Sequence, residues 1–151
     1  MRDELIEVAN TAANLTPSPI EPSWIIEGNP LAQSSLLSKS ADGQAWTVVW
    51  QCSEGRFNWH YDLDETILIL EGSIVVENDL MRPTRYGTGD IIFFKTGAHA
   101  KWHVEGHVRK LSFCRRSLPV PLGFGLRAFS KIKRTFIPAR ERKAGSLMTA
   151  S

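Results

Sequence analysis

Among the side chains of this 151-residue chain that could hold a metal or move a proton are four histidines, two cysteines and a glutamate beside an apolar run. The histidines are His60, His99, His103 and His107, the cysteines are Cys52 and Cys114, and Glu65 precedes a run of apolar residues. A metal centre needs three or four such ligands converging at fixed geometry. His60, Glu65 and His99 could form one divalent-metal site if a single face carried all three. The other reading makes the histidines exposed or structural and leaves Glu65 as a pocket carboxylate. Burial raises the pKa of an unpaired carboxylate, so that reading requires a basic neighbour, with Arg56, Lys95, Arg109 and Lys110 as candidates. The two cysteines lie 62 residues apart and form no CxxC, which points to buried reduced thiols rather than a disulfide framework or zinc site. No Gly-x-Ser-x-Gly elbow, phosphate-cradling glycine loop or dinucleotide fingerprint is present, so triad hydrolysis, nucleoside-triphosphate chemistry and nicotinamide chemistry have no support.

Strand alternation bears on both readings. If Trp59 and Tyr61 point inward, His60 between them points outward. In Val108 to Arg115, Lys110, Ser112 and Cys114 share one face, and Arg109, Leu111 and Phe113 the other. The pattern leaves open which face is inside. Five tryptophans (Trp24, Trp46, Trp50, Trp59 and Trp102) are many for this length and are expected to fill an interior or an interface. Trp59 and Trp102 are the candidates for a stacking pocket.

The elements that must position these residues read as strands. Trp24–Glu27, Ala45–Cys52, Phe57–Tyr61, Thr66–Leu70, Ser73–Glu77, Ile91–Phe94, Lys101–Val104 and Val108–Arg115 are short and rich in β-branched and aromatic residues. Turn signals separate them at Asp42-Gly43, Glu54-Gly55, Glu71-Gly72, Tyr86 to Asp90, Thr96-Gly97 and Glu105-Gly106. This spacing, with no helix between, predicts an all-β sandwich or barrel over residues 23–117. Before it, residues 3–15 have weak helical periodicity and predict a short N-terminal helix, followed by a Pro-rich linker to residue 22.

Residues 118–151 form a C-terminal basic extension. Residues 1–126 hold 11 Lys/Arg and 15 Asp/Glu, a net −4, whereas residues 127–151 hold seven Lys/Arg and one acidic residue, a net +6. Leu126, Phe129, Ile132 and Phe136 fall roughly on one side of a helical projection. That side is expected to pack on the barrel or a second subunit, ahead of an anionic membrane or nucleic acid. No apolar stretch reaches the ~20 residues of a transmembrane segment, and the acidic N-terminus lacks signal-peptide order. The expectation is a cytoplasmic protein.

Three segments also resemble a known family in order and spacing. Gly55 to Gly72 resembles the first signature motif of the cupin superfamily, and Gly89-Asp-Ile-Ile-Phe-Phe-Lys-Thr-Gly97 resembles the second. Trp24 to Gly28, Ser40 to Gly43 and Val48 to Trp50 are similar to the leading strands of one small branch. That branch includes single-domain cupins related to ureidoglycine aminohydrolase and the ethanolamine-utilisation cupin. The resemblance covers roughly residues 22 to 117 and implies a double-stranded β-helix, the RmlC-like jelly roll.

In metal-binding cupins motif one supplies two histidines and a glutamate, and motif two a third histidine. Glu65 matches the glutamate, while the histidine positions fall on Trp59 and Tyr61, or on Asn58 and His60 with a longer spacer. The third falls on Ala100, with His99 one residue short. Trp102 and the Arg109-Lys110 pair match positions that recur in this branch. The resemblance therefore implies a pocket of Glu65, Tyr61, Trp59, Trp102 and Lys110 for a small polar or anionic metabolite, with no metal cofactor. The alternatives are a metal-dependent enzyme similar to ureidoglycine aminohydrolase and a non-catalytic structural or regulatory subunit. Cupins of this kind commonly form homodimers through N-terminal strands, for which Trp24–Glu27 is the edge candidate.

Overall fold

The computed structural model describes residues 5–117, so the expectations for the basic extension at 118–151 lie outside the described residues. Eight strands follow in order: β1 (Thr16–Pro17), β2 (Ile25–Glu27), β3 (Ala32–Lys39), β4 (Ala45–His60), β5 (Asp64–Asn78), β6 (Met81–Gly87), β7 (Ile91–Phe94) and β8 (His99–Arg115). All pairings are antiparallel.

Three strands, β4, β5 and β8, are 16, 15 and 17 residues long, and each serves two layers. The first half of β4 pairs with β3 and with the second half of β8, which in turn pairs with the first half of β5 and through it with β7. The second half of β4 pairs with β2 and with the first half of β8, which pairs with the second half of β5 and so leads to β6. Registers shift at Ser53/Gly55 in β4 and at Ile69/Glu71 and Gly72/Ile74 in β5. Together these bends form one corner, and folding the sheet there yields the two facing layers of a jelly roll. At the corner Gly72 has φ 76°, and a Cβ on it would stand 1.8 Å from the carbonyl oxygen of His107. Only glycine fits such a position.

The interior is filled from both layers by Trp50, Phe57, Tyr61, Ile67, Ile69, Ile74, Val76, Phe94, Trp102, Val104 and Val108. Burial alternates along β8 through Trp102, Val104, Val108, Lys110, Ser112 and Cys114, so the even-numbered residues face inward. Among the described residues no helix is long and apolar enough to cross a membrane.

The predicted N-terminal helix is absent. Residues 5–10 are irregular and exposed, a turn closes with Ala13 N–H donating to Asn10 O, and Thr16–Pro17 pairs with β3. The physical reason is that Leu5, Ile6 and Val8 are exposed and find nothing to pack against among the described residues, and so short a helix is marginal without an apolar face to bury. Within the Pro-rich segment, Pro22–Trp24 forms one 3-10 turn capped by the Glu21 carboxylate.

Candidate functional site

Where the two layers face each other, β3, β4, β5 and β8 line a half-open cavity of about 270 Å³, with Ser18 at its margin. Its walls are aromatic: Trp46, Trp50, Phe57, Trp59, Tyr61 and Trp102. Trp50 stands edge-on to both Trp59 and Trp102, with ring centroids 6.0 Å apart in each case, and Tyr61 stacks on Phe94 at 4.3 Å. Such offset and edge-to-face contacts pack each ring against its neighbour.

Into this box project one carboxylate and one ammonium group. Glu65 enters from β5 opposite Cys114, and Lys110 enters from β8 opposite Trp50. Three residues along β8 separate Lys110 from Cys114, so the lysine stem must lie along the inner face to reach Glu65. It does so past Ser112: Nζ donates to Ser112 Oγ at 2.7 Å and to Glu65 Oε2 at 3.0 Å. The side chains retain 7% and 12% of their accessible surface. Nζ also lies 5.0 Å from the Trp50 ring centroid and 5.6 Å from that of Trp102, within cation–π range of both.

The other Glu65 oxygen accepts a weak bond from Cys114 Sγ at 3.5 Å. Burial, and secondly the Glu65 carboxylate, push that thiol up to about 12, so at neutral pH it is a proton donor and not a nucleophile. Burial likewise pushes Cys52 up to about 12. Tyr61 Oη accepts from Trp102 Nε1 at 3.2 Å, which leaves the phenolic proton to donate elsewhere. Burial, and next the charge of Glu65, hold the phenol well above its usual range.

The residues singled out by motif thus come together: Glu65, Tyr61, Trp59, Trp102 and Lys110 all line one cavity. Of the candidate partners for Glu65, Lys110 is the one it meets. Arg56 pairs with Glu27, and Arg109 turns outward to Gln51 Oε1 and the Thr11 carbonyl. Pattern alone did not single out Ser112, Cys114, Trp46 and Trp50. The signal for the first two was their shared face with Lys110, which becomes decisive once that face is known to be the inner one.

The alternative trio of His60, Glu65 and His99 is not brought together. His60 and His99 sit opposite each other on β4 and β8, with Nδ1 atoms 2.7 Å apart, on the exposed side. They border a separate cleft with Asn58 and Glu77. Glu65 lies on the other face, because Trp59 and Tyr61 take the inward positions on either side of His60. The third histidine position of the family motif is filled by Ala100, which is buried opposite Trp59. Among the described residues no three His, Cys, Asp or Glu side chains are grouped as a metal site would require. The donor set around Glu65 does not fit the family's metal centre.

Comparison with known proteins agrees with this architecture. The family model of the EutQ-like cupin domain matches residues 39–111. A protein of unknown function from Pseudomonas syringae pv. tomato, of the DUF861 family, is 28% identical and superposes over 70% of this chain with a TM-score of 0.64. This chain covers 46% of that protein, less than half its length. The putative ethanolamine utilization protein EutQ of Salmonella typhimurium is 18% identical, with 70% of this chain covering 100% of it at a TM-score of 0.52. The EutQ protein of Clostridium difficile is 17% identical, with 58% of this chain covering 64% of it at a TM-score of 0.51. At such identities the two EutQ structures speak to fold alone. No curated protein matches the chain. The jelly-roll topology and the match to the family model place an EutQ-like cupin domain at residues 39–111 of the chain.

Proposed function

We propose that this cupin binds a small polar metabolite in its barrel, without a metal centre. One observation carries the reading: Lys110 and Glu65 form an ion pair inside an aromatic-walled cavity of about 270 Å³. Burying two charges is costly, and well-packed apolar residues of the same volume would commonly serve stability as well or better. Polar groups converging in an apolar pocket are what a ligand site requires. The inversion of pattern on β8 points the same way, since Lys110 and Ser112 are inside while Leu111 and Phe113 face out.

The test is a screen of small polar metabolites by ligand-observed NMR on untagged protein, before and after treatment with a chelator. The expectation is binding that survives chelation and is lost in Lys110→Ala and Glu65→Ala. A stoichiometric transition metal whose removal abolishes binding would overturn the metal-free reading. We further propose a homodimer. Strand β2 is already paired with β4 of its own chain and keeps one free edge among the described residues, and an apolar outer face adds a second contact surface. Two free, buried thiols suit a reducing, cytoplasmic setting.

A further inference from the structure

We infer that the barrel pocket selects ligands without net charge, discriminating against anions and cations of the same size and shape. The inference rests on the ligand-binding reading above and narrows it to one chemical class: uncharged, flat or ring-shaped molecules that both donate and accept hydrogen bonds.

The charge count in the cavity carries the argument. Of the fourteen residues lining it, Glu65 and Lys110 are the charged ones, and they neutralise each other at 3.0 Å. Tyr61 and Cys114 remain protonated at neutral pH, because burial raises both. Arg116 lies over the ring of Trp46 at 5.5 Å, where it is exposed and screened by solvent. An incoming carboxylate, on Lys110, would add a second negative charge beside Glu65 with one ammonium to balance both, in a pocket walled by indole rings. An incoming ammonium on Glu65 would add a second positive charge, with the mirror-image penalty. Either ion leaves a buried net charge, which proteins accommodate poorly. An uncharged ligand leaves the pair balanced.

The pocket has the complementary groups for such a ligand. Glu65 keeps unused lone pairs, so it can accept from an N–H or O–H. The phenolic proton of Tyr61 and the hydroxyl proton of Ser112 can donate, since each oxygen already accepts a bond, from Trp102 and Lys110 respectively. The indole faces supply stacking area for a planar or ring-shaped body. With about 30 Å³ of liquid volume per water molecule, the cavity holds on the order of nine waters, the bulk of a small ring with one or two substituents.

Benzamide, benzoate and benzamidinium form a matched set of probes, planar and of one size, differing in charge. Their affinities for the untagged full chain are read by titration calorimetry and tryptophan quenching at neutral pH. The expected ranking has benzamide at least about tenfold tighter than either ion. Glu65→Gln should shift the preference to benzoate and Lys110→Met to benzamidinium, with circular dichroism confirming the fold. If a variant fails to fold, the wild-type ranking decides by itself. Benzoate or benzamidinium binding as tightly as benzamide overturns charge selection and leaves a ligand-binding pocket intact. No probe binding and no quenching by any metabolite in the screen overturns both readings together.

Discussion

A lysine ammonium and a glutamate carboxylate almost out of water hold each other in place at a price in desolvation. Their worth to the fold lies in being a pair. Removing one partner leaves the other as a buried, uncompensated charge, so Lys110→Met alone is expected to cost about 3–5 kcal/mol, as is Glu65→Leu. Removing both together should cost clearly less than either, giving a large coupling energy in a double-mutant cycle measured by urea unfolding. Additive losses would mean that the two groups act independently. At this scale the site was legible in part. Motif spacing located Glu65, Trp59, Tyr61 and Trp102, and strand alternation turned His60 away from them. The direction of Lys110 was not legible, because Leu111 and Phe113 look like the better inward residues by hydrophobicity. The inner face is the polar one there, and only the register of β8 against β4 and β5 reveals it.

At the scale of the element, three dipeptides that read as turns between strands are bends within strands. Glu54-Gly55, Glu71-Gly72 and Glu105-Gly106 sit inside β4, β5 and β8, and merge six expected short strands into three long ones. Glycine permits a hairpin and a corner alike, so composition cannot distinguish them. Strands β3 and β6 escaped notice because Ala32–Lys39 is rich in serine and Met81–Gly87 carries Pro83 and two arginines, and strand propensity is weak in both. The corner itself makes a sharp prediction. Gly72→Ala places a methyl group on backbone at φ 76° and into the His107 carbonyl, so the chain must move or strain. The expected loss is at least about 2 kcal/mol, the left-handed conformation alone costing about 1–2. Gly89→Ala, at φ 90° with nothing within 4 Å of its Cβ, should lose only the conformational part. Equal denaturation midpoints for the two variants would show that the His107 contact carries no energy.

For the whole molecule, the outer face of the larger layer breaks the alternation that a solvated sheet should keep. Two cross-strand rows lie there, Thr47, Phe113, Thr66 and Phe93, and beside it Val49, Leu111, Leu68 and Ile91. Phe93, Ile91 and Phe113 are 54%, 67% and 49% exposed, and Val49 is buried without joining the interior cluster. Polar rows border them: Arg115 with Asp64 at one end, and Gln51 with Arg109 at the other. An apolar centre with a polar rim is the anatomy of a protein interface. Five strands at ~4.8 Å and four rows at ~6.8 Å make a face of roughly 650 Å² in plan. That approaches the ~800 Å² per partner of a standard interface, before the free edge of β2 is added. A second copy of the same surface would satisfy it isologously, apolar rows against apolar rows. Light scattering at micromolar concentration should therefore give twice the chain mass for the wild type. The double substitution Phe93→Lys and Phe113→Lys, both exposed and outside the interior cluster, should give the monomer with the barrel still folded. A monomeric wild type would remove the second copy as the cover for this face, and a dimer that survives both lysines would move the contact to β2.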